Sequence, residues 1–376
     1  MKFTSRKTAL AGLATLGASA LVLTGCAAAP SDSGDSSAKS DFLPCMVSDD
    51  GGYDDHSFNE SGLNGLEAAA KAIGSEEKHV QSSSEDDYAP NIDNLLSEGC
   101  NLIVTVGFKL SAATVEAAKA NNDVEFAIID DGLDNEGATG DDGKATGDGK
   151  VDVENGKPIL FDTAQAAFLG GYAAASYSKT GVVGTFGGIP IPPVTIFMDG
   201  FVDGVKYFNE QKGKDVKVVG WDKDSQNGVF TGGFAAGVEA KTAAQGLLDQ
   251  NADVLMPVGG PIYQSAAEAI RDKGGDIALI GVDADVYESD PSVKDLLLTS
   301  VMKGISAGVE DVVKNAADGK FDNTPYVGTL ENDGVGLAPF HDFESKVDSG
   351  LQGELDDIKA KIISGDITVE SKASPK

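Results

Sequence analysis

SDDGGYDDHSFNESGLNGL, residues 48–66, separates a short apolar run, FLPCMV (42–47), from a segment in which Leu63, Leu66, Ala69, Ala70 and Ile73 recur at helical spacing. This reads as strand, glycine turn, helix. The turn therefore stands at a strand's carboxyl end, where open parallel α/β sheets bind ligands among loops and helix amino termini. Gly51 and Gly52 let backbone come close to a ligand, Ser57 is a candidate N-cap, and Phe58 with Asn59 sets a flat apolar face beside an amide. Asp49, Asp50, Asp54 and Asp55 crowd the turn and would repel an anion, so the segment suits a neutral, planar, hydroxylated molecule rather than a phosphate. Taken alone, a Gly-Gly in such a stretch reads as an acidic surface turn, and the small-molecule reading needs support from elsewhere in the chain. A metal site among the four aspartates and His56 is not expected, because their order lacks the alternating ligand spacing and distal Glu of a calcium loop.

Outward from this turn, short apolar runs alternate with amphipathic stretches. The runs are LIVTVGF (102–108), FAIID (126–130), GVVGTFGG (181–188), VKVVGW (216–221), DVLMPVGG (253–260) and IALIGVD (277–283). Helical stretches are expected at 112–120, 163–177, 194–208, 230–248 and 262–270. This alternation is the pattern of parallel α/β architecture, and the length of the chain beyond residue 41 exceeds one ordinary core, so two α/β lobes are expected. The segment 133–158 breaks the rhythm with Gly and Asp and reads as a solvated, turn-rich loop.

At the amino terminus, Lys2, Arg6 and Lys7 precede an apolar run through Leu23, a secretory signal over 1–25. Leu23-Thr24-Gly25-Cys26 resembles a bacterial lipobox, with cleavage before Cys26 and lipid on its thiol. Residues 26–41 have the small, polar composition of a flexible tether. The expected location is the extracytoplasmic side of the cell membrane, held by the Cys26 anchor. The formal net charge is -31, or about -34 without the three signal cations, which argues against nucleic acid as a partner. In an oxidising compartment Cys45 and Cys100 can form a disulfide across neighbouring strands or remain two buried thiols.

Carboxylates and glycines recur at the strand ends: Asp49 and Asp50, Gly107, Asp130 and Asp131, Gly187 and Gly188, Gly259 and Gly260, and Asp283. Together with VVGTFGGIPIPPVTIFMDGFVDG, LIGVDADVY and LTSVMKGISAGV, these motifs resemble, in order and from Phe42 to about Gly336, the basic membrane lipoprotein family. Its members of the purine nucleoside receptor A type are substrate-binding lipoproteins of ABC transporters. The resemblance implies a two-lobe, type I periplasmic-binding-protein-like α/β fold, each lobe a doubly wound parallel sheet flanked by helices. It implies an amino-terminal lobe of 42–162 plus 284–325 and a carboxyl-terminal lobe of 163–283 plus 326–376. It also implies a nucleoside ligand without a cofactor, an ABC permease with its ATPase subunits as partners, and a monomeric receptor.

By the same resemblance, Phe58 and Phe197 sandwich a base, with Phe201 the alternative second ring. Asp50, Asp130 and Asn59 meet the base's polar edges, Gly259 admits close backbone approach, and Asp283 and Lys303 bind ribose hydroxyls. Position alone would make Lys303 a surface or helix-capping lysine. An enzyme is not expected, since His56, His79 and His341 are the only histidines and none stands in a nucleophile elbow or beside a phosphate-binding loop. A sugar receptor of the same fold and an aspartate-dependent nucleoside hydrolase are the alternatives.

Overall fold

The computed structural model describes residues 41–135 and 147–375. The signal, Cys26 and all but the last residue of the tether lie outside them, as does the middle of the acidic insert, 136–146. Strands run β1 Pro44–Val47, β2 Lys78–Val80, β3 Leu102–Val106, β4 Glu125–Ile129, β5 Gly156–Phe161, β6 Val182–Gly187, β7 Lys217–Val219, β8 Trp221–Asp222, β9 Asn227–Gly228, β10 Val254–Val258, β11 Ala278–Asp283, β12 Leu297–Lys303, β13 Tyr326–Gly328 and β14 Val335–Leu337. Helices are α1 Phe58–Ile73, α2 Tyr88–Ser97, α3 Ser111–Ala120, α4 Thr163–Tyr177, α5 Pro192–Lys212, α6 Val238–Leu248, α7 Ile262–Lys273, α8 Val286–Ser289, α9 Ile305–Ala317 and α10 Leu351–Ser364.

Two six-stranded sheets result. The first has the order β13-β5-β4-β3-β1-β2 and is parallel throughout. The second, β14-β12-β11-β10-β6-β7, is parallel except for β14, which runs antiparallel along β12. Counted within its own lobe, each sheet begins 2-1-3-4-5, the doubly wound order of the flavodoxin type. β1, β3, β10 and β11 are buried along their whole length. Being covered by helices on both faces, such strands read in the sequence as unbroken apolar runs rather than alternations.

The expected lobe return requires correction. Leu297–Lys303 was placed in the amino-terminal lobe, yet β12 pairs with β11 in the second sheet. The chain crosses back only after Lys303, where α9 packs on α1 and β13 adds to β5 of the first sheet. β12 follows β11 as the next parallel neighbour, so the crossover falls after α8 and β12 rather than before them, and β13 belongs to the first lobe.

Cys45 lies in β1 and Cys100 just ahead of β3, and the two are joined by a disulfide with a Cα–Cα distance of 6.0 Å. β1 and β3 are parallel neighbours, with Pro44 opposite Leu102, and Cys100 stands two residues ahead of Leu102. The acidic insert is less detached than its composition suggests. Leu133 and Val153 are buried in the first lobe's core, Asp152 N–H donates to the Leu133 carbonyl, and the segment ends in β5.

In the second lobe, α4 and α5 meet at backbone distance. A Cβ on Gly204 would stand 1.9 Å from the Phe168 carbonyl oxygen, and one on Gly200 2.3 Å from that of Ala164. The DGFVDG motif is thus a contact surface one helical turn in period. It fixes the amino-terminal turns of α5, and with them Phe197.

Candidate functional site

In a doubly wound sheet the crevice opens beyond the carboxyl ends of strands 1 and 3, where the winding reverses. Here those positions are β1 and β3 in one lobe and β6 and β10 in the other. The two crevices face each other across a cleft of about 580 Å³, its mouth included, lined on one side by Asp49, Phe58, Asn59, Gly107 and Asp130 and on the other by Phe197, Phe234, Gly259, Gly260 and Asp283.

The turn after β1 is organised by two carboxylates. Asp49 accepts from Gly51 N–H at 2.8 Å and from Asn59 Nδ2 at 2.8 Å, an Asx turn that aims it into the cleft. Burial pushes its carboxyl up to about 6 against those two hydrogen bonds, with nearby Asp50 and Asp55 adding in the same direction. Asp55, not Ser57, caps α1: its oxygens accept from the N–H groups of Ser57, Asn59 and Glu60 at 3.0, 2.8 and 3.1 Å. Ser57 makes no capping hydrogen bond. Its hydroxyl reaches instead across the cleft to the Val282 carbonyl at 3.0 Å.

Asp50 does not meet the cleft. It accepts from Tyr88 Oη at 3.0 Å and pairs with Lys109 at 3.1 Å on the outer side of the turn. Asp50 thus stands apart from the cleft expected for it, and its neighbour Asp49 lines the cleft instead, because the Asx turn allows only one of two adjacent carboxylates to face inward.

Lys303 sits at the end of β12, buried, with Asp130 Oδ2 at 2.5 Å and Asp283 Oδ1 at 3.3 Å. The second approach is an ion pair out of hydrogen-bond alignment, which leaves Asp283 Oδ1 as a buried acceptor without a hydrogen bond. Asp130 directly follows β4 and Asp283 ends β11, the fourth strand of each sheet, and both adopt left-handed backbone, φ 65° and 70°. That conformation costs a non-glycine residue on the order of 1 kcal/mol, least for Asp and Asn, and here it turns both carboxylates inward.

Burial pushes Asp130 up to about 6, Lys303 opposes the shift, and Asp283 reinforces it. For Lys303, burial works against the charged form, but the two carboxylates outweigh it and raise the ammonium. One cation shared by two buried carboxylates leaves a net negative charge in the trio, so an anionic ligand is disfavoured there.

The rings of Phe58 and Phe197 flank this centre, 5.2 and 5.0 Å from Lys303 Nζ to their centroids. Phe201 is fully buried on the α4 side of α5 and does not line the cleft. Phe197 is therefore the cleft ring on α5.

Gly259 has φ 142°, and a Cβ there would stand 2.7 Å from the Phe234 ring. Gly188 would clash with the same ring at 2.3 Å. The absent side chains directly after β6 and β10 thus make a notch for Phe234, which forms a further wall of the cleft. Phe234 went unassigned because Phe230–Leu248 reads as one helix; α6 begins only at Val238. Gly232, Gly233 and Gly237 around Phe234 were the available sign of a loop.

Of the residues expected at the site, Phe58, Asn59, Asp130, Phe197, Gly259, Asp283 and Lys303 all line the cleft. No group of His, Cys, Asp and Glu suited to hold a metal occurs among the described residues. Nor is any described helix long and apolar enough to cross a membrane.

The lobes touch at the cleft's rim, through Ser57 to Val282 and through Ser289 Oγ, which donates to the His56 carbonyl at 2.6 Å. Among solved structures, the fold is like that of an ABC transporter solute-binding protein from Aeropyrum pernix, with a TM-score of 0.73 at 24% identity over 87% of this chain and 92% of that one. It is also like that of AraP, an arabinose-binding protein from Geobacillus stearothermophilus, with a TM-score of 0.55 at 12% identity over 81% and 99%.

In sequence, the chain is 30% identical to the CD4+ T-cell-stimulating antigen of Listeria innocua over 98% of this chain and 99% of that one. It is 29% identical to the ABC transporter nucleoside-binding protein BmpA of Lactococcus lactis over 94% and 96%. Residues 42–373, past Gly336 and into the carboxyl-terminal tail, match the family described as ABC transporter substrate-binding protein PnrA-like. The chain belongs to this Bmp family of ABC transporter substrate-binding proteins.

Proposed function

We propose that the cleft captures nucleosides, purine nucleosides foremost, on the extracytoplasmic side of the membrane, where lipid on Cys26 tethers the protein beside its permease and separate ATPase. The observation that carries this reading is the pairing of Phe58 and Phe197 with a buried Asp130–Lys303–Asp283 trio. Two rings offer stacking faces to a base, each stacked contact contributing on the order of 1 to 3 kcal/mol without regard to which base it is. The trio offers carboxylate acceptors and an ammonium donor, the set that vicinal ribose hydroxyls satisfy. The Lactococcus lactis relative, which covers nearly the same length, is named as nucleoside-binding. The arrangement serves binding rather than turnover, since its carboxylates are held by Lys303, Asn59 and backbone N–H groups.

Isothermal titration with nucleosides, free bases and monosaccharides tests the reading. Nucleosides should bind in preference to their bases, and incubation with inosine should release no hypoxanthine. Binding of a monosaccharide but of no nucleoside would assign the cleft to sugars, and release of free base would make the protein a hydrolase. Phe58→Ala should weaken nucleoside and base alike by about 1 to 3 kcal/mol. Asp283→Ala should cost about 1.5 to 3 kcal/mol for the nucleoside only. Cys26→Ser should release the protein from membranes; retention would place the anchor elsewhere.

A further inference from the structure

Lys109 and Phe234 meet across the cleft from opposite lobes. The chain passes between the lobes at Asp162 after β5, at Gly304 after β12 and between β13 and β14. In the order of each sheet, the strands that carry Asp130, Asp283 and Lys303 stand nearest those crossings, while β1 and β3 on one side and β10 and β6 on the other stand farther out. Lys109 follows β3, and Phe234 is seated against Gly188 and Gly259, directly after β6 and β10. They therefore meet at the mouth, on the side away from the crossings. There Lys109 Nζ stands 5.8 Å from the centroid of the Phe234 ring, within reach of a cation–π attraction.

Each partner is held by its own lobe. Asp50 takes the Lys109 ammonium at 3.1 Å and Glu85 takes it at 3.3 Å, while Tyr88 Oη donates to Asp50 at 3.0 Å. The carboxylate that turns away from the cleft thus fixes the cation at its mouth. On the other side, the Phe234 loop is pinned at both ends. Thr231 and Gly232 N–H donate to the Gly187 and Gly188 carbonyls at 3.0 and 2.9 Å, and Gly237 N–H donates to Ser265 Oγ at 2.8 Å. We infer that Lys109, held by Asp50 and Glu85, latches the closed cleft through the Phe234 ring, acting on closure and not on the ligand. A contact made only when the lobes are together stabilises the closed form alone. At a partly exposed site, a cation–ring contact shifts the ratio of closed to open by about two- to fivefold.

The test reads the lobes directly. Nitroxide labels on Glu116→Cys in α3 and Gln245→Cys in α6, both exposed, report the interlobe distance by double electron–electron resonance. Cys26→Ser in the same chain leaves no other free thiol, since Cys45 and Cys100 are bonded. Without ligand, Lys109→Met should raise the open-to-closed ratio about two- to fivefold. Lys109→Arg, which keeps a cation able to lie on the ring, should stay near wild type. Phe234→Leu should match Lys109→Met, and the two together should add nothing to either alone. An unchanged distribution in Lys109→Met, or effects that simply add, would overturn the latch. With inosine and adenosine as probes, Lys109→Met should speed dissociation of both by the same factor; unequal factors would make Lys109 a ligand contact and overturn the inference. If no nucleoside binds, the nucleoside reading falls and the distance measurement alone decides the latch.

Discussion

Lys303→Met removes the one cation at the centre of the cleft and keeps most of its volume. The Lys303 side chain is 3% exposed, and those of Asp130 and Asp283 are 7% exposed each. Without the ammonium, two buried carboxylates face each other with no counter-charge, and breaking a buried pair from one side costs about 3 to 5 kcal/mol. The loss should depend on pH in a definite direction. Asp130 already titrates at about 6, raised by burial and held down by Lys303. Losing Lys303 raises it further, so the native variant takes up a proton more readily than the unfolded chain does. The variant's deficit should therefore be largest above the variant's own raised Asp130 value, shrink as pH falls towards about 6, and level off below it, where Asp130 is protonated in both proteins. Urea unfolding of wild type and variant at pH 7.5 and pH 5, extrapolated linearly, measures both effects. Adding Asp130→Asn to Lys303→Met should restore part of the stability at pH 7.5 and flatten the dependence. A deficit under about 1 kcal/mol at pH 7.5 would be that of a solvated surface pair, and it would refute the buried-trio account. So would a deficit that does not change with pH.

Asp49, raised to about 6 in the fold by burial, contributes stability that is present below the unfolded carboxylate range and lost as pH rises through 6. Lowering pH from 7 to 5 should therefore recover about 1 kcal/mol through this group, and Asp49→Asn should abolish that gain in thermal unfolding. Replacing Cys45 and Cys100 together by Ser opens a loop with a sequence separation of 55, and chain entropy sets the cost at about 4 kcal/mol; an unchanged urea midpoint would show that the bridge does not constrain the unfolded chain. Gly204→Ala places a methyl group 1.9 Å from the Phe168 carbonyl as the helices stand, so α4 and α5 must separate at a cost of about 1 to 3 kcal/mol. A wild-type Tm for that variant would mean that the crossing is not close-packed.

The alternation of buried strands with amphipathic helices was legible in the sequence because both sheets are covered on both faces, so their central strands read as plain apolar runs. The strand-end carboxylates were legible for the related reason that polar residues directly after such runs stand at a sheet edge. What could not be read was orientation. Asp49 and Asp50 are chemically identical, and only their partners in the fold separate them, Gly51 and Asn59 for Asp49 and Tyr88 and Lys109 for Asp50. Ser57 resembled a cap because Ser commonly caps helices, but Asp55 reaches the same N–H groups from two residues earlier and carries the charge the helix terminus favours. Phe234 escaped because its loop adjoins a helix of similar hydropathy. The site of the lobe crossover is a tertiary matter, since nothing local to Leu297–Lys303 tells which sheet has a free neighbour for it.

The segment from Asp54 to Asn59 combines roles that are usually distributed. Asp55 fixes the start of α1, Phe58 and Asn59 line the cleft, and His56 and Ser57 touch the opposite lobe through Ser289 and Val282. His56 holds a left-handed backbone, φ 52°, and its carbonyl is the atom that accepts from Ser289. Because Asp55 locks the turn to α1, the interlobe contacts and the ligand-facing groups shift together or not at all. A molecule held between Phe58 on one lobe and Phe197 on the other gains both contacts only when the lobes are together. Its binding free energy is then a differential between open and closed arrangements, which is what is required for occupancy to set the population of the closed form. Ser289→Ala removes one interlobe hydrogen bond and no cleft-lining group. It should weaken every ligand by the same factor, whereas changes at Asp49 or Asn59 should alter the ranking among ligands. That contrast separates closure from recognition in a single set of titrations.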